Sequence, residues 1–273
     1  MHPDDLERLF QYQHHDSLSL PRRICRVRGV QAYVLEADPI HENSVNYFAA
    51  ALGFHRLGYQ VERYRLSELP LLRVSAETPV FGGIQSILRL FPSYRSLPHY
   101  PAELAGFLGR EIQVKRLADV KQGQFFKPLE QDHNKFAPMV LDDSVAASIA
   151  VHSMEPDHRV YVSQEVSILS EYRCYVHHGE AAAIHSYKGD VTIFPDRNAV
   201  LSMIEAYTSA PVAYGLDVGI LESGETVLIG VNDFCCLGNY GIRPTPYAFG
   251  IASRWEQLWA QYRTPEVLQR TGK

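Results

Sequence analysis

The sequence predicts an α+β protein in three parts, on the basis of two strand patterns and one break between them. From Gln31 onward, short apolar strands alternate with helical stretches, which is typical of a small, mostly parallel α/β sheet. From Ser170 onward, strands follow one another directly with turn residues between them, which indicates antiparallel hairpins. A Pro- and Tyr-rich segment, residues 92–101, separates the two patterns.

The first pattern predicts an α/β unit over residues 30–95. A strand covers 31–37, a helix capped by Asn43 or Ser44 follows it, and a second strand covers 61–66. The apolar residues expected on the buried face of this helix are Val45, Phe48, Ala49 and Leu52. A third strand ends in Gly82-Gly83, where either close approach of an anion or a tight turn explains the glycine pair.

Three further boundaries complete the predicted organisation. Residues 1–29 form an N-terminal arm, residues 96–166 a central unit, and residues 167–273 a C-terminal unit with a helical tail. The tail carries an amphipathic stripe formed by Trp255, Leu258, Trp259 and Tyr262. Such a stripe predicts packing in the core or at a homodimer contact, rather than a membrane surface.

Composition narrows the class of protein. The 273 residues are 46% hydrophobic and 21% charged, and the net charge of −5 with a pI near 6.2 argues against nucleic acid as a partner. No apolar run approaches the roughly 20 residues of a membrane span, and the first residues do not resemble a signal peptide. The four cysteines lack metal or redox spacing, so we expect reduced thiols and a cytoplasmic protein: Cys25, Cys174, Cys235 and Cys236.

The segment 213–239 predicts a hairpin that gathers oxygen ligands. With Ser223 and Gly224 at the turn, Asp217 faces Gly230 on the partner strand, and Asn232 lies two residues further along the same face. A diagonal pair of this kind lies about 7–8 Å apart, so both side chains can reach one hard cation such as Mg²⁺. A solvated hairpin with a polar end is the alternative.

Other charged residues allow two interpretations each. Lys127, in an otherwise apolar strand, either extends to solvent or meets an anion. In a second hairpin with its turn at 177–180, Glu171 is expected opposite Ser186, so that Glu171, Arg173 and Lys188 share one face if no bulge intervenes. These charges form either an exposed ion-pair ladder or a platform for phosphate and carboxylate.

The order of these motifs resembles the ATP-grasp superfamily. Along residues 30–245 the chain shows K-P on a strand, the hinge Gln164-Glu165-Val166, E-Y-R, Y-K-G, and then L-D-V-G and V-N-D. The resemblance is greatest to small ATP-grasp proteins of bacteria and phages. It implies a nucleotide sandwiched between two α+β subdomains, preceded by a small α/β domain.

The resemblance also implies roles for individual residues. Lys127 would hold ATP phosphates, Gln164, Glu165 and Val166 would bind adenine and ribose, and Glu171 would join this nucleotide-binding set. Arg173 and Lys188 would be catalytic. Asp217 and Asn232 would bind Mg²⁺, with Asp233 as a further candidate ligand. The implied activity is that of an ATP- and Mg²⁺-dependent ligase, which joins small-molecule or peptide carboxylates to amines through an acyl phosphate.

One departure from the family pattern keeps a second function open. The second metal-binding strand of the superfamily usually reads E-x-N, and here the glutamate position is Gly230. Asp233 would replace that acid only if the strand bends. The chain is therefore either a ligase or a catalytically weakened nucleotide-binding or regulatory module. A third possibility is an interaction scaffold that uses the aromatic stripe of the tail.

Overall fold

The computed structural model describes residues 29–36, 44–130 and 135–263, which form three sheets. The predicted N-terminal arm and Cys25 lie outside these ranges, apart from Gly29. The first unit contains a three-stranded parallel sheet in the order β2-β1-β3. Its elements are β1 (Gln31–Leu35), α1 (Ser44–Leu57), β2 (Gln60–Tyr64), β3 (Val80–Phe81) and α2 (Gly83–Leu90). The α/β unit is thus observed where the alternating pattern predicts it.

The central unit is an antiparallel sheet of four strands in the order β4-β7-β5-β6. Phe126, Val160 and Val162 are buried in its small core. Ser144 caps the one α-helix described here, because its hydroxyl accepts a hydrogen bond from the Ala147 backbone. The elements are β4 (Ile112–Arg116), β5 (Gln124–Pro128), β6 (Met139–Val140), α3 (Val145–His152) and β7 (Arg159–Gln164).

The C-terminal unit is a second antiparallel sheet, in the order β11-β10-β8-β9. Asp196 begins its helix as predicted, since its carboxylate accepts from the Ala199 backbone. The elements are β8 (Ile168–His177), β9 (Glu180–Gly189), α4 (Arg197–Ala206), β10 (Ala213–Leu221), β11 (Thr226–Asp233) and the tail helix α5 (Pro244–Tyr262). Together the three units have the predicted α+β architecture.

The tail helix α5 packs within the protein rather than presenting a free apolar stripe. Trp255 and Leu258 are buried against Tyr33, Tyr64 and other residues of the α/β unit, with Trp259 and Tyr262 partly buried beside them. Of the two alternatives for this stripe, core packing is therefore the one observed. Among the described residues, no helix has the length and hydropathy needed to cross a membrane.

The predicted buried face of α1 is wrong in part. Val45 and Phe48 are more than 60% exposed, whereas Ala49, Ala50 and Gly53 are buried. The cause is the close approach of α5, because a Cβ on Gly53 would lie 1.9 Å from the Pro244 carbonyl oxygen. Small residues, rather than large apolar ones, therefore form the contact between the two helices.

The registers of the strands determine which charged residues lie next to one another in the C-terminal sheet. Asp217 pairs with Gly230 as predicted, although a bulge in β10–β11 lies between this pair and the turn. In β8–β9 two bulges shift the register, so that Glu171 pairs with Lys188 instead of Ser186. Arg173 and Asp217 are direct neighbours across β8 and β10. Glu171, Arg173 and Asp217 thus lie on one face of the sheet.

Candidate functional site

A cleft of about 770 Å³ is lined by residues of the central and C-terminal sheets. It contains nine of the ten predicted site residues, namely Lys127, Gln164, Glu165, Val166, Glu171, Arg173, Lys188, Asp217 and Asn232. β5 supplies the lysine, the end of β7 and the loop after it supply residues 164–166, and the C-terminal sheet supplies the others. Residues far apart in the chain therefore converge on one cavity.

Arg173 and Asp217 form a buried bidentate ion pair at the floor of this cleft. Nε and Nη2 of Arg173 each donate to a different Asp217 oxygen at 2.7 Å, and the side chains are 9% and 8% exposed. Burial alone would lower the pKa of the Arg173 guanidinium, but the Asp217 charge outweighs it and the pKa lies above the usual value. Asn232 Nδ2 donates to Asp217 Oδ2 at 2.8 Å, so these two side chains lie in contact, with the amide nitrogen towards the carboxylate.

Two tyrosines form a wall beside the guanidinium. The rings of Tyr187 and Tyr240 stack with centroids 4.9 Å apart and planes inclined by 23°. The Arg173 Cζ atom lies 4.6 Å from the Tyr240 centroid, which is a cation–π contact. Both rings line the cleft. They hold Arg173 in one orientation while its face toward the cavity stays accessible.

Lys127 is a buried cation that points into the same cleft. Its residue exposure is 8%, and Nζ lies 4.4 Å from the centroid of the Tyr100 ring. Desolvation lowers the pKa of Lys127 to about 8, against the opposing effect of the Asp217 and Glu130 charges. Of the two interpretations of this lysine, extension to solvent is thus excluded. A buried ammonium that has no hydrogen-bonded counter-ion in the described part of the chain is suited to an incoming anion.

The ion pair between Lys188 and Glu171 differs from the buried one in its exposure. Lys188 Nζ donates to Glu171 Oε1 at 2.7 Å, but the Lys188 side chain is 72% exposed and that of Glu171 is 11% exposed. The bulges of β8–β9 bring the two into direct register. The ammonium stays mobile enough to meet a ligand at the mouth of the cleft, since an exposed pair is held weakly.

Asp233 does not belong to this cluster, and its prediction as a metal ligand is corrected. The strand stays regular up to this residue, so its side chain points to the face opposite Asn232. Both carboxylate oxygens accept from Arg254, at 2.9 and 2.6 Å, and Tyr94 and the Cys235 backbone donate as well. Burial raises the Asp233 pKa, but these hydrogen bonds outweigh it and the pKa lies below its usual value.

A second cavity of about 530 Å³ adjoins the cleft. It lies between the α/β unit and the C-terminal sheet, and Tyr47, Gln85, Glu130 and Cys236 are among its lining residues. Gly82 and Gly83 line it as well, at the carboxyl edge of the parallel sheet. His99, Arg173 and Asn232 line both cavities. A molecule in the second cavity can therefore reach the same guanidinium as a molecule in the cleft.

The comparison with protein families decides the fold family. Residues 107–249 match the model of an ATP-grasp domain, family 2 of the R-two-K clade, and this match covers more than half of the chain. The chain belongs to this ATP-grasp family. No curated protein matches it. The resemblance drawn from the motif order is thus confirmed.

A solved structure agrees with this ATP-grasp assignment at the level of the fold. N5-carboxyaminoimidazole synthetase from Staphylococcus aureus is 10% identical with a TM-score of 0.50, over 85% of this chain and 78% of that one. A weaker similarity is found to D-alanine–D-alanine ligase from Bacillus anthracis, which is 12% identical with a TM-score of 0.47, over 89% of this chain and 98% of that one.

The oxygen donors of the ATP-grasp cleft fit one Mg²⁺. Asp217 offers a carboxylate, and the Asn232 amide, whose nitrogen donates to Asp217, would use its oxygen as the ligand; Mg²⁺ typically uses one or two carboxylates together with substrate phosphates. Within the described part of the chain, no three His, Cys, Asp or Glu side chains converge as a metal-binding group. Lys127, which is buried and has no hydrogen bond to another residue of the described ranges, and Arg173 fit the phosphates that would complete such a site.

Several residues at the site were not predicted as ligand-binding. Tyr187 and Tyr240 flank Arg173, Tyr100 lies under Lys127, and Glu130 accepts from the His99 backbone at 2.7 Å. Tyr161 donates to the same Glu130 oxygen. The aromatic density of segment 92–101 was the available signal for Tyr100 and His99. Nothing in sequence spacing connects Tyr240 to Arg173, because a tertiary contact brings them together.

Proposed function

We propose that the protein is an ATP- and Mg²⁺-dependent ligase that joins a carboxylate to an amine or a related nucleophile through an acyl phosphate. The observation that carries the proposal is the meeting of two cavities at the buried Arg173 guanidinium. A phosphoryl donor in one cavity and its acceptor in the other would then share one fixed positive charge. Membership in the ATP-grasp family supports a nucleotide as the donor.

The nucleotide would occupy the larger cleft. Lys127 would pair with phosphate oxygens there, since its ammonium is buried and points into the cavity. Gln164, Glu165 and Val166 would contact the base and ribose at the edge of the central sheet, with Glu171 beside them. Lys188, whose side chain is exposed, would leave Glu171 and approach the phosphates.

Phosphoryl transfer would rely on positioning and charge rather than on covalent help from side chains. Asp217 and Asn232 would hold Mg²⁺, which when bound would neutralise phosphate charge. The Arg173 guanidinium, fixed by Asp217 and Tyr240, would stabilise the transferring group. The substrate carboxylate would attack the γ-phosphate and release ADP. The amine would then form the new bond to carbon as inorganic phosphate leaves.

The acceptor substrates would bind in the smaller cavity. Its walls combine apolar side chains such as Phe81 and Leu97 with polar ones such as Gln85 and Glu130. Such a mixture, with a volume of about 530 Å³, suits an amino acid derivative or the end of a peptide. Small-molecule or peptide carboxylates and amines are therefore the proposed substrates.

ADP release tests this proposal. The purified protein is incubated with MgATP, hydroxylamine and a panel of amino acids and short peptides, so that any acyl phosphate is trapped as a hydroxamate. We expect ADP and hydroxamate with at least one carboxylate. Arg173→Gln should reduce the rate at least about 100-fold, as expected when a fixed charge for the transferring group is lost. Arg116→Gln, an exposed arginine on β4, should leave it unchanged.

The outcome that contradicts the ligase activity is nucleotide binding without ADP release for any carboxylate of the panel, or an equal rate in Arg173→Gln. The second candidate function, a nucleotide-binding or regulatory module, then takes precedence. The observation in its favour is Gly230, since position 230 faces Asp217 and lacks a carboxylate. If this gap weakens catalysis, Gly230→Glu should increase turnover, whereas an unchanged rate would count against that explanation.

A further inference from the structure

We propose that the cleft takes one divalent cation with its nucleotide, and that the Lys127 ammonium supplies the positive charge that a second ion would bring. The inference rests on the proposed binding of ATP in this cleft. It concerns the number of metal ions, which the ligase and the regulatory module leave equally open. Three observations carry it: the free lone pairs of Asp217, the space at Gly230, and the charges that line the cleft.

The Asp217 carboxylate has little capacity left for metal ions. It accepts two hydrogen bonds from Arg173 and one from Asn232. A carboxylate has about four lone-pair positions, so roughly one remains. In the described ranges no second acid joins Asp217 and Asn232 in a metal-binding group. One ion can therefore be held, but a carboxylate that bridges two ions is missing.

The space opposite Asp217 contains an ammonium. A Cβ built on Gly230 would lie 3.6 Å from Lys127 Nζ and 3.5 Å from the His99 carbonyl oxygen, which are ordinary contact distances. A side chain at position 230 would thus extend to the place where the ammonium lies. Lys127 has no hydrogen-bonded or ion-pair partner among the described residues, and it contacts the Tyr100 ring instead. The Lys127 ammonium therefore lies next to position 230, which faces Asp217 across the hairpin.

The charges of the cleft agree with a nucleotide that keeps part of its negative charge. Four cationic side chains line it, Arg110, Lys127, Arg173 and Lys188, against three anionic ones, Glu165, Glu171 and Asp217, which leaves a net charge of +1. ATP with one Mg²⁺ is still an anion, whereas a second Mg²⁺ would neutralise it. A net positive cleft is complementary to the first form and gains less from the second.

Electron paramagnetic resonance with Mn²⁺ as the metal counts the ions directly. The full chain is mixed with an equal amount of the non-hydrolysable ATP analogue AMPPNP, and free Mn²⁺ is followed as Mn²⁺ is added. We expect one bound Mn²⁺ per chain, with further additions remaining free. Two bound ions per chain would overturn the proposal. AMPPNP alone also holds one Mn²⁺, so its binding to the protein is measured separately by equilibrium dialysis. A protein that does not bind AMPPNP would overturn the proposed nucleotide site, so the two failures are distinguishable.

Two pairs of variants sharpen the count. Gly230→Glu should bind a second Mn²⁺ per chain. Gly230→Gln, which has a side chain of the same size without the charge, should still bind one Mn²⁺. Equal numbers of bound ions in the two variants would contradict the role of position 230. Lys127→Met should weaken Mn·AMPPNP binding roughly tenfold to a hundredfold with the count still at one. Lys127→Arg should retain most of the affinity. Unchanged affinity in Lys127→Met would overturn the role of the ammonium.

Discussion

Two buried arginine–aspartate pairs have nearly the same geometry but different surroundings. Arg173 donates to the two Asp217 oxygens at 2.7 Å each, and Arg254 donates to the two Asp233 oxygens at 2.9 and 2.6 Å. The first pair lies where two cavities meet. The second pair, with side chains 4% and 3% exposed, lies between α5, the end of β11 and Tyr94.

The difference shows that bidentate geometry does not by itself mark a functional pair. The remaining acceptor positions of the Asp233 carboxylate take hydrogen bonds from Tyr94 and the Cys235 backbone. The pair is therefore a closed structural link, which connects three segments and has no acceptor position left for a ligand. Asp217 has only Asn232 as a further partner among the described residues and faces a cavity. The neighbours of each carboxylate, rather than the ion pair, therefore separate the ligand-binding acid from the structural one.

The largest expected effect is on the structural pair. Asp233→Asn should lower the free energy of unfolding by about 3–5 kcal/mol, because it leaves the Arg254 charge buried without compensation. Urea denaturation of wild type and variant measures this loss. Nucleotide affinity of the folded variant should stay at the wild-type value. A loss below about 1 kcal/mol would mean that Arg254 finds another partner or water.

The same substitution in the cleft should affect stability less. Asp217→Asn is expected to lower the free energy of unfolding by about 1–2 kcal/mol, because water in the cleft can reach the Arg173 guanidinium after the change. The same urea titration supplies the comparison with Asp233→Asn. Equal losses in the two variants would contradict the distinction between a closed link and an open site.

The lowered pKa of the buried Lys127 ammonium predicts that nucleotide binding depends on pH. At pH 7 the ammonium is mostly protonated, and it loses its proton as the pH rises through about 8. AMPPNP binding should therefore weaken above pH 8, by up to about tenfold per pH unit if the ammonium is required. Lys127→Arg should remove this dependence, since arginine stays charged. Isothermal titration calorimetry between about pH 7 and pH 9.5 provides the measurement, and equal profiles would exclude Lys127 as the titrating group.

The ligand-free protein should show the corresponding linkage. The pKa of Lys127 is about 8 in the folded protein against 10.5 for an ordinary lysine, so the unfolded chain binds more protons in between. The measured quantity is the difference in free energy of unfolding between the wild type and Lys127→Met. This difference should rise in favour of the wild type as the pH increases from about 8 to 10.5, and the gain is lost as the pH falls through about 8. A constant difference between the two proteins would contradict the lowered pKa.

The smallest effect is expected for the exposed pair. Lys188→Met should change the free energy of unfolding by less than about 1 kcal/mol, because the ammonium is 72% exposed and solvent weakens its attraction to Glu171. Thermal denaturation of the two proteins at low and high salt checks this value. A larger loss would show that the pair stabilises β8–β9 in the absence of ligand.

Bulges decided which of the predicted cross-strand pairings are observed. Next to the turn, Val218 pairs with Leu228, one residue away from the predicted register, and a bulge between Val218 and Asp217 restores the predicted pairing of Asp217 with Gly230. The predicted pairing of Glu171 with Ser186 is wrong because two bulges shift the register of β8–β9. No residue pattern in the sequence indicates these bulges.

Tertiary contacts account for the other errors. Gly53 is buried in the contact between α1 and α5, although hydropathy favours Phe48 for such a place. Asp233 is directed to Arg254 by the alternation of the strand, so its position next to Asn232 did not make it a ligand. In each case a distant segment decided the role of the residue, and a single sequence does not show which distant segment that is.

The most direct test of the nucleotide and metal site is a thermal-shift titration with AMPPNP, with and without Mg²⁺, on wild type and Asp217→Asn. At 100 times its dissociation constant a ligand stabilises the folded state by about 2.7 kcal/mol, which corresponds to several degrees. We expect a shift that Mg²⁺ enlarges in wild type and that Asp217→Asn reduces to the metal-free value. The absence of any shift, or an equal effect of Mg²⁺ in both proteins, would contradict the site.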